Sequence, residues 1–249
     1  MVENTSPYNW LTSEYKLKKQ RDKEELFLYD PSKASSANAY SWITKRNITL
    51  ELTKKYSYSH ARVLIVGCGW GRELIAFPTA IGIDICLPFL KAVRKYMDND
   101  IVLADAHYLP FKNSFDLIIM SEVIEHLKSP PKAIVEVKSI LGDQGKLIIS
   151  TPNKAITKKK INPDHIREFT LNELARLLKG IGFRILERRG STIPYVPASF
   201  GWSSSFDNLF LFTVWKILNR LIPLKWDIII IVEKEKMEAK NLFTHVINS

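Results

Sequence analysis

Short apolar runs recur along the middle of the chain, separated by polar stretches. Those at 62–66, 81–84, 101–104, 115–120 and 145–150 have the length and continuity of strands buried on both faces. Between and after them, 71–77, 88–97, 131–140 and 171–180 carry apolar residues at helical spacing. Two further strands fit 183–189 and 227–233. The alternation predicts an α/β fold, a doubly wound, mostly parallel seven-stranded sheet. The first helix is short, because Pro78 interrupts it.

The flanks read differently. Residues 1–39 are polar and mixed, and Lys16–Glu25 is charge-dense, as in a solvated helix. Residues 31–41 have loop composition. Trp42–Tyr56 has helical spacing, with Trp42, Ile43, Ile48, Leu50 and Leu52 able to pack against the sheet edge or over a ligand. Residues 1–59 are thus expected to form an N-terminal helical extension or cap, and 60–249 the main domain. Within it, 190–226 is rich in aromatics and prolines and predicts a helical insertion before the last strand. A substrate lid, a homodimer face, a shallow membrane contact and an ordinary packing helix all suit it.

Composition narrows the class only modestly. A chain of 249 residues with 46% hydrophobic content can bury a substantial core. Its formal charge of +10 points to an anionic partner: nucleic acid, a phosphorylated metabolite or an acidic lipid surface. Cys68 and Cys86 are too few for a disulfide framework. No apolar leader opens the sequence, and no run of about 18 apolar residues predicts a membrane span. A cytoplasmic location, with peripheral membrane contact as a variant, is the expectation.

Chemistry concentrates where the strands end. Val63–Val66 runs directly into Gly67-Cys68-Gly69-Trp70-Gly71, and Asp84 closes the next strand. Alternate glycines let main chain turn sharply and approach a ligand, so this is the layout of a nucleoside-binding site. The dinucleotide fingerprint G-x-G-x-x-G is not met, since position 72 is Arg. A purely structural tight turn is the plainer alternative. Against it, Asp84, Asp105 and Ser121 repeat the strand-end placement, where parallel sheets bind ligands.

A second constellation is Ser121-Glu122-Val123-Ile124-Glu125-His126, which follows the fourth strand. On a helical turn Glu122 would stand beside Glu125 and His126. Two carboxylates and an imidazole can hold a divalent ion, and His126 alone can take a proton from a hydroxyl. His165 supplies another imidazole after the fifth strand, able to face the same pocket. Capping, surface or main-chain hydrogen-bonding roles for Glu122, Glu125 and His126 stay open. His107 is expected to border the ligand pocket, and the run Lys154–Lys160 to be a solvated loop or an anion-steering mouth.

Taken in order, these segments resemble the class I S-adenosylmethionine-dependent methyltransferases over about residues 60–190. The resemblance implies a Rossmann-like fold with S-adenosyl-L-methionine as cofactor. It makes Gly67, Cys68, Gly69 and Gly71 the cofactor loop. Asp84 becomes the holder of the ribose hydroxyls, and Ile85, Asp105 and Ala106 the adenine environment. Ser121 would border the methionine portion. Gly142–Lys146 is similar to the turn before the fifth strand, with its usual Pro-Gly-Gly altered. Glu-x-x-Glu-His resembles ubiquinone-pathway O-methyltransferases and also small-RNA 2′-O-methyltransferases, where Thr151-Pro152-Asn153 and a metal-binding His165 would complete the pattern. The implied activity is O-methylation of a small hydroxylated metabolite, glycan or lipid-linked acceptor, with His126, Glu125 and His165 as catalytic candidates. A divalent ion, Mg²⁺ or Mn²⁺, is an open companion. RNA ribose methylation and a non-catalytic, partner-binding role are the alternatives.

Overall fold

A computed structural model of the chain describes residues 37–57, 60–112, 115–157, 164–190 and 226–235. Seven strands form one sheet: β1 Val63–Val66, β2 Ile81–Asp84, β3 Ile101–Leu103, β4 Phe115–Ser121, β5 Leu141–Pro152, β6 Phe183–Arg189 and β7 Asp227–Lys234. Their order is β3-β2-β1-β4-β5-β7-β6. Neighbours pair in parallel except β7, which is antiparallel to both β5 and β6. The chain reverses direction across the sheet at β1/β4, so the ends of β1 and β4 open a crevice there.

Strict alternation divides the core. Leu64, Val66, Ile118, Met120, Ile230 and Val232 face one way. Val63, Ile65, Leu117, Ile119, Ile229 and Ile231 face the other. Helices α3 (Pro130–Ile140) and α5 (Leu171–Gly180) cover the first face through Ile134, Val137, Leu174 and Leu178. Helices α1 (Ala37–Tyr56) and α2 (Leu87–Tyr96) cover the second through Leu52, Leu90 and Val93. Among the described residues, a further helix, α4 (Lys154–Thr157), is one short turn after β5.

Local signals explain the boundaries. Proline occupies the first turn of α2 and α3, where its missing N–H costs nothing. At α5, Thr170 Oγ1 accepts from the Glu173 amide while Glu173 Oε2 accepts from the Thr170 amide, a reciprocal cap.

Three expectations need correction. The helix placed at 71–77 is only a 3₁₀ turn, Leu74–Ala76, because Pro78 and the start of β2 leave no room for more. The loop placed at 31–41 gives way to helix at Ala37, in a segment with two alanines. The fifth strand starts at Leu141 rather than 145. Leu141 pairs with Phe115, and the Gly142–Gly145 stretch is absorbed as a bulge before Lys146 pairs with Leu117.

Helix α1 makes two polar contacts with the rest of the fold. Near its middle, Lys45 reaches Glu122 beyond β4. At its C-terminal end, Tyr56 Oη donates to Glu187 on the edge strand β6. The insertion at 190–226 lies almost wholly outside the described residues, as do Lys16–Glu25 and Lys158–Lys160.

Candidate active site

A cleft of about 240 Å³ opens at the carboxyl ends of β1, β2 and β4. Gly67, Gly69, Asp84, Ile85, Asp105 and Ala106 line it together with Glu122 and His126. Six of the nine residues expected to meet the cofactor therefore line one cleft. The other three lie outside the lining. Cys68 is buried with its sulfur toward Gly82, Gly71 abuts Met97, and Ser121 Oγ sits 3.1 Å from Ser150 Oγ. Ser121 also bonds the side chain of Glu73, whose carboxyl is raised above its ordinary range by burial.

Backbone geometry explains the glycines. Gly67 has φ +69°, and a Cβ there would lie 2.4 Å from Val123 Cγ2. Gly69 has φ +51°, and a Cβ there would meet nothing within 4 Å. Its main chain is bare toward the open cleft. Asp84 ties the loop down: Oδ2 accepts from the Gly69 amide and Oδ1 from the Cys86 amide, both at 2.8 Å. A carboxylate has about four acceptor directions, so hydroxyl donors in the cleft can still reach it.

Asp105 is braced in the same way. Its Oδ1 accepts from the His107 amide at 2.9 Å and lies 2.6 Å from His107 Nδ1. The Ser129 amide donates to His107 Nε2, which places the ring proton on Nδ1. His107 thus braces Asp105 from a buried position and is not itself among the residues that line the cleft.

Beyond β4 the chain does not run straight into a helical turn. Glu122 is the one described non-glycine residue at positive φ, +56°. That conformation costs of order 1–3 kcal/mol and has to be held by its surroundings. Glu122 does not join the cluster formed by Glu125, His126 and His165, although its charge still acts on Glu125. Its Oε1 accepts from Ser150 Oγ at 3.0 Å, and its Oε2 lies 2.9 Å from Lys45 Nζ.

Glu125, His126 and His165 do come together. Their ligand-capable atoms lie within 4.8 Å of one another. The two imidazoles stand edge to face at 4.9 Å. Glu125 is fully buried rather than on the surface. Its Oε2 accepts from Thr151 Oγ1 at 2.9 Å, and its Oε1 has no hydrogen-bond partner among the described residues. Burial, reinforced by Glu122, raises its pKa well above the usual carboxylate range. His126 Nδ1 lies 3.1 Å from the Asp164 carbonyl, so it carries the proton and leaves Nε2 as a base. Burial lowers the pKa of His126, which keeps it neutral at pH 7. His165 Nδ1 lies 3.0 Å from the buried Glu168 carboxylate, which fixes its tautomer likewise.

The site also holds residues that sequence reasoning missed. Glu168 was detectable, since His-x-x-Glu spacing lets a carboxylate reach an imidazole. Lys45 carried no local signal, because its partners are distant in sequence. Phe89 and Val123, which also line the cleft, look like ordinary core residues in sequence.

A Rossmann-like sheet of this order, with a bare glycine loop beside a strand-end carboxylate, defines the class I S-adenosylmethionine-dependent methyltransferases. Residues 24–188 match the family described as a methyltransferase domain, and the chain belongs to that family. A "probable S-adenosylmethionine-dependent methyltransferase" of Mycobacterium tuberculosis is 34% identical over 131 residues, covering 49% of this chain and 48% of its own. The mitochondrial ubiquinone biosynthesis O-methyltransferase of Candida albicans is 25% identical over 181 residues, covering 58% of this chain and 54% of its own. Among solved structures, the Burkholderia thailandensis 1,6-didemethyltoxoflavin-N1-methyltransferase, with 1,6-didemethyltoxoflavin and S-adenosylhomocysteine bound, superposes with a TM-score of 0.59 at 14% identity. That likeness covers 95% of this chain and 93% of the other, and it concerns the fold. The chain spans about half the length of the first curated relatives it matches.

Proposed function

We propose that the chain binds S-adenosylmethionine in the cleft and methylates a hydroxyl oxygen of a small metabolite, glycan or lipid-linked acceptor. One observation carries the reading: His126 both lines the cleft and belongs to the buried Glu125/His126/His165 cluster. The donor site and a proton acceptor are thereby contiguous. When bound, S-adenosylmethionine supplies a methyl group already activated on a sulfonium sulfur, so the chain's work is alignment and proton removal. Gly69 admits the ligand close to main chain. Asp84 accepts from the ribose hydroxyls while its two backbone donors hold it in place. Ile85 and Ala106 flank the adenine, and Asp105, steadied by His107, accepts from its amino group.

At the acceptor end, neutral His126 takes the hydroxyl proton on Nε2. A divalent cation is the second reading, and the residues fit one. Glu125 Oε1 is a buried oxygen without a hydrogen-bond partner among the described residues, and Glu168 and Asp164 orient the two imidazoles. Two imidazoles and one carboxylate suit Mn²⁺ better than Mg²⁺. Such an ion would lower the pKa of the hydroxyl.

The test is calorimetric titration with S-adenosylmethionine and S-adenosylhomocysteine, before and after chelation and after adding Mg²⁺ or Mn²⁺. A screen of phenolic, sugar and lipid-linked alcohols follows, with an RNA 3′ end as a separate arm. Saturable binding near one site per chain, with methyl transfer to a small alcohol, is the expected result. Folded protein that binds neither ligand in any state would overturn the proposal, and transfer to the RNA end alone would replace the acceptor.

A further inference from the structure

Lys45 lies outside the strand ends that build the cleft, on helix α1. Its Nζ stands 2.9 Å from Glu122 Oε2 and 3.6 Å from Asp227 Oδ1, and its side chain is 11% exposed. An exposed ion pair contributes little, but a largely buried ammonium between two carboxylates fixes geometry. Burial alone would lower the Lys45 pKa, and the charges of Glu122 and Asp227 more than reverse that.

The residue Lys45 holds is the strained one. Glu122 sits at φ +56°. Besides Lys45, it is held by two bonds to one residue of β5: its amide donates to the Ser150 carbonyl and its Oε1 accepts from Ser150 Oγ, both at 3.0 Å. Its conformation sets three things downstream. Glu122 itself faces the cleft, Val123 closes over Gly67, and Glu125 turns into the buried cluster. If Glu122 relaxed to an ordinary backbone conformation, each would move. The ion pair from α1 opposes that relaxation, so α1 and the cleft share one contact.

We propose that Lys45 is a positioning residue that clamps Glu122 in its left-handed conformation and so couples docking of α1 to cofactor binding. The inference rests on the cofactor reading above. It gives α1 a role beyond covering the sheet: occupancy of the cleft and attachment of the helix stabilise each other.

Glycine adopts positive φ without strain, so Glu122→Gly removes the need for the clamp. Calorimetry with S-adenosylmethionine on the full chain therefore compares wild type, K45M, E122G and the double variant. If loss of the clamp reduces the competent conformer to about a tenth, K45M raises Kd roughly tenfold. In the E122G background the same change moves Kd by less than about twofold. A tenfold loss in both backgrounds overturns the clamp and makes Lys45 a direct or general structural contributor. Wild type that binds no cofactor removes the parent reading and the clamp together, whereas wild-type binding with additive losses removes the clamp alone. A second measurement needs no variant. Saturating S-adenosylmethionine should slow amide exchange in α1 from Lys45 to Tyr56 as well as in the glycine loop. Protection of the loop with α1 unchanged overturns the coupling.

Discussion

Asp84→Ala separates the two tasks of one carboxylate. In the fold, the side chain accepts two backbone hydrogen bonds, from Gly69 and Cys86, each at 2.8 Å, and the residue is only 9% exposed. Hydrogen bonds to a charged group contribute about 1.5–3 kcal/mol each. The cleft admits water to the freed Gly69 amide but the Cys86 amide is buried, so the loss is about 3–5 kcal/mol in all. In binding, the carboxylate would accept from two ribose hydroxyls. Losing both removes about 3 kcal/mol or more, beyond a hundredfold in Kd. Asp84→Asn keeps the shape and one acceptor oxygen, so it should recover part of the stability while binding stays impaired. Urea denaturation reads the first effect, with an unchanged slope showing that the folded state is intact. Calorimetry with S-adenosylmethionine reads the second. Turnover at saturating cofactor should fall much less than affinity, because the ribose is remote from the transferred methyl. Asp84→Ala with cofactor affinity within about threefold of wild type would refute the placement, since even one charge-assisted bond predicts more.

Gly67→Ala should cost more than about 2 kcal/mol in urea denaturation, because positive φ and the contact with Val123 add. Gly69→Ala should cost only about 1 kcal/mol of backbone strain but weaken cofactor binding by calorimetry; unimpaired binding would contradict the bare-loop reading. Glu168→Gln should weaken Mn²⁺ binding about 10- to 100-fold if the cluster holds metal, and change no metal titration if His126 acts alone as base. His126 has a lowered folded-state pKa, so the unfolded chain binds its proton first as pH drops below about 6.5. Stability should therefore fall with pH from about 6.5 down to the folded pKa, and denaturation from pH 5 to 8 should show this slope reduced in His126→Gln.

The centre of the sheet was readable because its strands are buried on both faces. Val63–Val66 and Ile228–Val232 are unbroken apolar runs whose residues all lie in the core. Helix α5 and strand β6 were placed on their observed bounds because a capping box and Gly182 punctuate them. What sequence reasoning missed depends on dihedral angles and distant pairings. Nothing in Ser121-Glu122-Val123 announces a left-handed glutamate, and Glu122 does not converge with Glu125, His126 and His165 although it stays close enough to act on Glu125. Leu141 joined β5 because Phe115, a non-local partner, was there to pair with it. Cys68 sat in the middle of the glycine motif, yet its side chain serves the core while the neighbouring main chain serves the cleft.

The two halves of the site are built by different means, and this bears on how they can be tested. The cofactor half hangs from strand ends whose positions the two-sided core fixes. The cluster half joins the turn after β4 to the segment before α5, and main-chain groups make that joint. The amides of Ile166 and Arg167 both donate to the Glu125 carbonyl, at 2.9 and 3.1 Å. An isolated bridge between Asn153 and Phe169 holds the base of the same segment. The side chains of His126 and His165 therefore ride on a scaffold that does not need both of them. Replacing His165 leaves every one of those backbone bonds available, while removing one of three converging donors. His165→Ala should thus cost far less in stability than Asp84→Ala and leave S-adenosylmethionine affinity intact. Any loss of turnover then belongs to the acceptor step. Unfolding on this substitution would mean that the imidazole pair, rather than the main-chain brace, holds the segment in place.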